Sequence, residues 1–164
     1  MRVRLEETTD WPSLYTIYAA AFGQLAEADL VRRMQDDEDL ILSVTAYTDE
    51  PAGHIAYSRL CLHETPSIKA CVLAPLAVCP LFQKQGIAAA LVRHSLMRLT
   101  EDGYDLVVVL GEPHYYGRFG FDPKLAEKLK TPYDGPYLQA LALSDHGKGA
   151  HGPVSYARAF AELN

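Results

Sequence analysis

Cys71-Val72-Leu73-Ala74-Pro75-Leu76-Ala77-Val78-Cys79-Pro80 runs without a charge into Leu81-Phe82-Gln83-Lys84-Gln85-Gly86-Ile87-Ala88, and there the character of the chain changes. The apolar run from Ile68 to Val78 reads as a strand covered on both faces, because neither face alternates with polar residues. Beyond Gly86, residues Ile87, Ala88, Leu91, Val92, Ser95, Leu96 and Leu99 step round one face of a helix. Gly103 ends that helix, and Leu106 to Leu110 is an aliphatic strand. Residues 71–110 are therefore a β–α–β unit, for which parallel strands and a right-handed crossover are expected. The start of a helix offers unpaired N–H groups and a partial positive charge, both suited to an anion. Gly86 admits a ligand close to the backbone, Ala88 leaves the first turn open, and Lys84 adds a full charge. The loop is neither a dinucleotide-binding G-x-G-x-x-G nor a P-loop. Its spacing alone also fits a plain strand-to-helix turn.

Outward from this unit the elements are simpler. Val3 to Glu6 reads as a first strand. Asp10 is expected to cap a helix over residues 11–22, with Pro12 in its first turn and Leu14, Ile17, Tyr18, Ala21 and Phe22 on one face. A second helix is expected over Glu27–Gln35, running into a solvated turn at Asp36-Asp37-Glu38-Asp39. Leu40–Tyr47 and Gly53–Leu62 read as two strands joined by a turn. Short strands and loops follow residue 120, and Tyr137–Leu143 is the clearest strand among them. That apolar strand suits either a homodimer contact or the chain's own sheet. The predicted class is α/β, antiparallel strands first and a parallel pair at the centre, in a single domain over residues 1–164.

Composition narrows the partners. With 15 Lys+Arg against 21 Asp+Glu, the net charge is −6. No basic stripe is visible, which argues against nucleic-acid binding. No apolar run reaches the length of a membrane span, and the N-terminus lacks a secretory pattern, so the expected location is cytoplasmic. Cys61, Cys71 and Cys79 form no Cys-x-x-Cys pair and are expected to be buried free thiols. The histidines show no metal-binding spacing, so no metal is expected.

Two motifs carry a resemblance. Gln83-Lys84-Gln85-Gly86-Ile87-Ala88, with Leu76-Ala77-Val78-Cys79-Pro80 before it and Ala90-Leu91-Val92 after, resembles the phosphate-binding signature of the GNAT superfamily of acyl-CoA N-acyltransferases. Tyr115-Tyr116-Gly117-Arg118-Phe119-Gly120-Phe121 resembles that family's Tyr-x-x-x-Gly-Phe segment. The likeness covers about residues 40–122, and two motifs in sequence order are more specific than either alone. Ala88 stands where glycine is commoner in the family.

The resemblance implies the acyl-CoA N-acyltransferase fold, a mixed central sheet with a splayed parallel strand pair flanked by helices. It implies acetyl-CoA as co-substrate and a small-molecule or peptide amine as acceptor, attacked directly. Carried over, Leu76, Ala77 and Val78 line the pantetheine, and a backbone N–H of Leu76 or Val78 polarises the thioester carbonyl. The N–H groups of Gln83, Lys84, Gln85, Gly86, Ile87 and Ala88 hold the pyrophosphate. Tyr116 is the implied general acid, with Tyr115 as rival and aromatic packing beside Phe119 and Phe121 as the alternative. The family's strand carboxylate is missing from Cys71–Leu76, which leaves Glu112, His114 or water for the amine's proton. A binding module of the same fold without turnover is the second reading. Glu27, Asp29 and Asp36–Asp39 read as a solvated face or as an attractor for a cationic amine.

Overall fold

The computed structural model describes residues 1–7 and 10–162. In chain order the elements are β1 (Arg2–Leu5), α1 (Trp11–Phe22), α2 (Ala26–Asp36), β2 (Leu40–Tyr47), β3 (Pro51–Leu62), β4 (Ala70–Val78) and α3 (Ile87–Glu101). After these come β5 (Leu106–Leu110), α4 (Pro113–Tyr116), α5 (Pro123–Ala126), β6 (Leu129–Lys130), β7 (Leu138–Ala142) and β8 (Gly152–Tyr156). The strand order is β1-β2-β3-β4-β5-β7, with β8 beside β3 and β6 beside β8. This is the mixed, mostly antiparallel α/β sheet with a parallel β4–β5 pair that the sequence predicts. The chain divides into two compact units. One holds residues 1–57, 74–97 and the chain from 158 onward, the other residues 58–73 and 98–157, and β3 and β4 run from one into the other.

In the first unit β1 pairs antiparallel with β2, Arg2 opposite Tyr47 and Leu5 opposite Val44. Helix α1 buries Trp11, Leu14, Ile17 and Tyr18, and α2 buries Ala28, Leu30, Val31 and Met34. Each buried large side chain is worth about 1.5–3 kcal/mol of transfer free energy. Successive residues of a strand face opposite sides of a sheet, and β3 uses this directly. His54 points to α1, where its Nδ1 lies 2.6 Å from the Tyr18 hydroxyl. Gly53 faces α3, and a Cβ there would stand 3.0 Å from the Ala77 carbonyl, 3.1 Å from Leu91 and 3.2 Å from Ile87. Helices α1 and α3 therefore cover opposite faces of β3, and glycine lets α3 sit close.

Two expectations hold only in part here. Asp10 stands at the N-cap position of α1, with Pro12 in the first turn, but its side chain gives the helix no hydrogen bond. Its carboxylate is taken instead by the Arg4 guanidinium, with both contacts at 2.8 Å, by the Tyr47 hydroxyl and by the Glu7 N–H. Burial opposes its charge, but those donors outweigh it and hold Asp10 below the usual carboxylate range. The acidic turn after α2 is also not wholly solvated. Asp37 accepts from Arg158 at 2.6 Å, and Asp39 is buried.

In the second unit Ala70–Leu73 of β4 pair in parallel with Leu106–Val109, and β4 then continues to Val78 beyond the end of that register. The strand begins at Ala70 rather than Ile68, because the Ile68 N–H closes a turn onto the Thr65 carbonyl. β7 pairs antiparallel with β5, Leu106 opposite Ala142 through Leu110 opposite Leu138, so this apolar strand fills a place in the chain's own sheet. All three cysteines are free. Cys71 and Cys79 are buried as expected, and Cys61 is only half-buried.

Candidate active site

In the first unit the chain leaves β4, makes a 3-10 turn at Pro80–Phe82 and enters α3 through four exposed residues, Gln83–Gly86. Two of the four are left-handed, Lys84 at φ 64° and Gly86 at φ 81°. Glycine adopts that conformation freely. Lysine does so at a cost of about 1–2 kcal/mol, and backbone strain of this kind concentrates at functional turns. The Gly86 carbonyl accepts from the Ala90 N–H at 3.0 Å and starts the helix. Among the described residues, the N–H groups of Lys84, Gln85, Gly86, Ile87, Ala88 and Ala89 donate to nothing. Six consecutive unpaired donors stand at the positive end of a fifteen-residue helix, an arrangement suited to an anion. The Gln83 N–H is not one of them, since it donates to the Pro80 carbonyl. Its side chain instead ties the loop back to the strand, donating to the Val78 carbonyl at 3.2 Å.

A Cβ on Gly86 would meet nothing within 4 Å, so its role is conformational rather than steric. Gly86→Ala is expected to cost about 1 kcal/mol of loop conformation and, if the loop holds coenzyme A as the resemblance implies, to weaken its binding about fivefold by calorimetry. Unchanged affinity would show that the loop's shape does not matter for binding.

The strand before the loop presents a second set of donors. The Cys79 N–H donates to the Ala52 carbonyl of β3 at 2.8 Å. By the strand's alternation Ala77 faces β3 as well, so the N–H groups of Leu76 and Val78 point to the opposite edge of β4. Leu76 and Val78 are half-exposed and Ala77 is buried.

In the second unit the chain turns sharply after β5. The N–H groups of Tyr115 and Tyr116 donate to the Glu112 carbonyl at 3.1 and 3.0 Å, and Gly120 at φ 98° reverses the chain. Buried Phe121 stands edge-on to the Tyr116 ring at 5.8 Å, and Tyr115 does so at 5.0 Å. The Tyr116 hydroxyl makes no hydrogen bond among the described residues. Burial, and then the neighbouring Tyr115, push its pKa up to about 12, so it stays protonated through the ordinary pH range. Tyr115 is engaged differently, stacked edge-on to Phe119 with the Arg118 guanidinium 5.0 Å from its ring centroid.

A family model of the acetyltransferase (GNAT) domain matches residues 2–123. The chain belongs to the GNAT acetyltransferase family. An uncharacterized N-acetyltransferase, YhbS of Escherichia coli K12, is 33% identical to this GNAT protein over 165 residues, which is 98% of each chain. The crystal structure of E. coli YhbS in complex with CoA superposes with a TM-score of 0.89 at 32% identity, over 98% of this chain and 91% of that one. A GNAT acetyltransferase from Brucella melitensis in complex with acetyl-CoA gives 0.80 at 29% identity over 97% of both chains.

Other residues named from the sequence take quieter places in this GNAT chain. The side chains of Glu112 and His114 are exposed. Glu27 accepts from Gln24 at 3.1 Å through one oxygen, while its other oxygen is buried without a partner. A cavity of about 370 Å³ in the second unit, lined by Pro123, Ala126, Glu127, Asp134, Pro136 and Leu138, contains none of them. Among the described residues no group of three or more His, Cys, Asp and Glu is arranged to hold a metal, and no described helix is long and apolar enough to cross a membrane. Sequence reasoning missed Gly111 and Gln139. Neither stands in a motif, and only the folded chain brings Gly111 to the Tyr116 ring and Gln139 to Gly111.

Proposed function

We propose that this chain is a single N-acetyltransferase domain that moves the acetyl group of acetyl-CoA to a primary amine by direct attack. The run of six unpaired N–H groups behind two left-handed residues carries the reading, because it suits a diphosphate and has no structural use. The CoA and acetyl-CoA held by the two solved relatives support it. In this proposal the N–H groups from Lys84 to Ala88 bind the pyrophosphate, with Lys84 adding charge and Gln83 bracing the loop. The free edge of β4 at Leu76 and Val78 takes the pantetheine, and one of those N–H groups polarises the thioester carbonyl. A well-aimed donor of this kind is worth about 3–4 kcal/mol.

The transfer balances simply. The amine lone pair forms the C–N bond as the C–S bond breaks, and Tyr116 gives its phenolic proton to the departing sulfur. The amine sheds a proton to water, and the phenolate is reprotonated. Strand β4 holds no carboxylate, so no side chain is assigned as base.

The test is release of free coenzyme A from acetyl-CoA with spermidine, kanamycin, free amino acids and a peptide with an open N-terminus. Amine-dependent release above the hydrolysis rate supports transfer. Tight coenzyme A binding without release from any amine would replace the enzyme with a binding module, and absence of binding would remove both.

A further inference from the structure

Tyr116 owes its place to a residue with no side chain. A Cβ on Gly111 would stand 2.5 Å from Tyr116 Cε2, 3.0 Å from Cδ2 and 3.5 Å from Cζ. The first distance lies far inside van der Waals contact, so the ring occupies space that any other residue at 111 would fill. Gly111 is itself clamped. Its N–H donates to the Tyr137 carbonyl at 3.0 Å, and its carbonyl accepts from the Gln139 side-chain amide at 3.1 Å. Gln139 is completely buried, and the same amide nitrogen lies 3.4 Å from the Tyr137 carbonyl. Only this orientation of the amide places its donor against both carbonyls. The other side of the amide, Oε1, is buried without a partner, which costs about 1–3 kcal/mol. At that cost the buried amide bridges the carbonyls of Gly111 and Tyr137.

On its other sides the ring meets aromatic side chains. Phe121 is buried, Tyr115 abuts it edge-on, and the backbone of Tyr116 is tied to Glu112. An atom added at Gly111 therefore presses on the ring, and the two hydrogen bonds on Gly111 oppose a shift of the strand in its place. From this geometry we infer that Gly111, fixed by Gln139, is a positioning residue that sets where the Tyr116 hydroxyl stands during acetyl transfer. The inference rests on Tyr116 being the acid of the proposed reaction. A proton donor must lie within hydrogen-bond reach of the atom it serves, and a displacement of about 1 Å costs up to about a hundredfold in rate.

The test is a double-mutant cycle on the full chain: wild type, Gly111→Ala, Tyr116→Phe and the pair. Turnover is read as coenzyme A release with the panel amine that reacts fastest, together with KM for acetyl-CoA and the melting temperature. Gly111→Ala is expected to lower kcat about thirtyfold while KM for acetyl-CoA stays within about twofold. In the Tyr116→Phe background the same change is expected to cost less than about twofold, since the displaced hydroxyl is already gone. Equal losses in both backgrounds, or a Gly111→Ala enzyme within about threefold of wild type, overturn the inference. A Tyr116→Phe enzyme with full turnover overturns the acid, and the positioning falls with it. A crystal structure of Gly111→Ala needs no turnover. A ring moved by about 1 Å or more supports the inference, and an unmoved ring overturns it even if no amine in the panel reacts. If Gly111→Ala does not fold, Gln139→Met releases the clamp without adding atoms at the ring, and its kcat loss must likewise vanish in the Tyr116→Phe background.

Discussion

Tyr116→Phe is expected to lower turnover about a hundredfold, the low end of what general acids contribute, while coenzyme A affinity stays within about twofold. The substitution removes one atom that is bonded to nothing else, so the ring keeps its packing against Phe121 and Tyr115. No donor of the 84–89 loop is touched, which is why binding and rate separate. Dependence on pH follows from the same residue. In the proposed reaction the hydroxyl works in its protonated form, and its pKa is pushed up to about 12, so the acid is lost only as the pH approaches that value. Turnover therefore rises with pH as the amine loses its proton, and loss of the acid does not cut that rise off near pH 10, where an exposed tyrosine ionises. An alkaline limb near 10 that disappears in Tyr116→Phe would contradict the burial-raised value. Full turnover in Tyr116→Phe with a loss in Tyr115→Phe would transfer the role to Tyr115.

Gly147→Ala is expected to destabilise the protein by about 3 kcal/mol or more, lowering the melting temperature by about 6–12 °C for a chain of this length. Gly147 is buried in the 3-10 turn His146–Gly149, and a Cβ there would fall onto the carbonyl oxygen of Asp105. That carbonyl has no room to move, because Asp105 ties three segments together. Its backbone N–H donates to the Lys69 carbonyl at 2.7 Å, and its carbonyl accepts from Leu143 at 2.8 Å. Its carboxylate accepts from the Lys69 N–H at 2.9 Å and from Ser144 Oγ at 2.7 Å. Burial resists the charge on Asp105, but those donors prevail and hold its pKa below the usual range. Gly149→Ala in the same turn is the control. A Cβ there meets nothing within 4 Å, and the change should stay within about 0.5 kcal/mol. Equal melting temperatures for the two variants would show that the turn yields without breaking the tie.

The parts of this protein legible from sequence are those whose physics is local. An uncharged run as far as Gln83, the glycine at 86 and a helical stripe beyond it marked out β4, the loop and α3, since periodicity and glycine conformation act over a few residues. The parallel pairing of β4 with β5 followed from the helix between them. The position of Asp10 at the start of α1 is legible from Pro12, but not the partner of its carboxylate, because the folded chain brings Arg4 and Tyr47 to it and a bidentate guanidinium outcompetes helix N–H groups. Asp39 looked solvated for a similar reason, since its burial depends on segments far away in sequence. Tyr116 was visible through its motif, but its support was not. Gly111 and Gln139 lie 28 residues apart and meet only through the pairing of β5 with β7.

The donor run at residues 84–89 is made of main-chain amides, and every amino acid but proline brings one. Side-chain identity there is correspondingly cheap to change, while the two left-handed turns at Lys84 and Gly86 are not. In the proposed reading, recognition is written in the curvature of the backbone instead of in a spelling of residues, and drift through this loop would leave its grip intact as long as the bend survived.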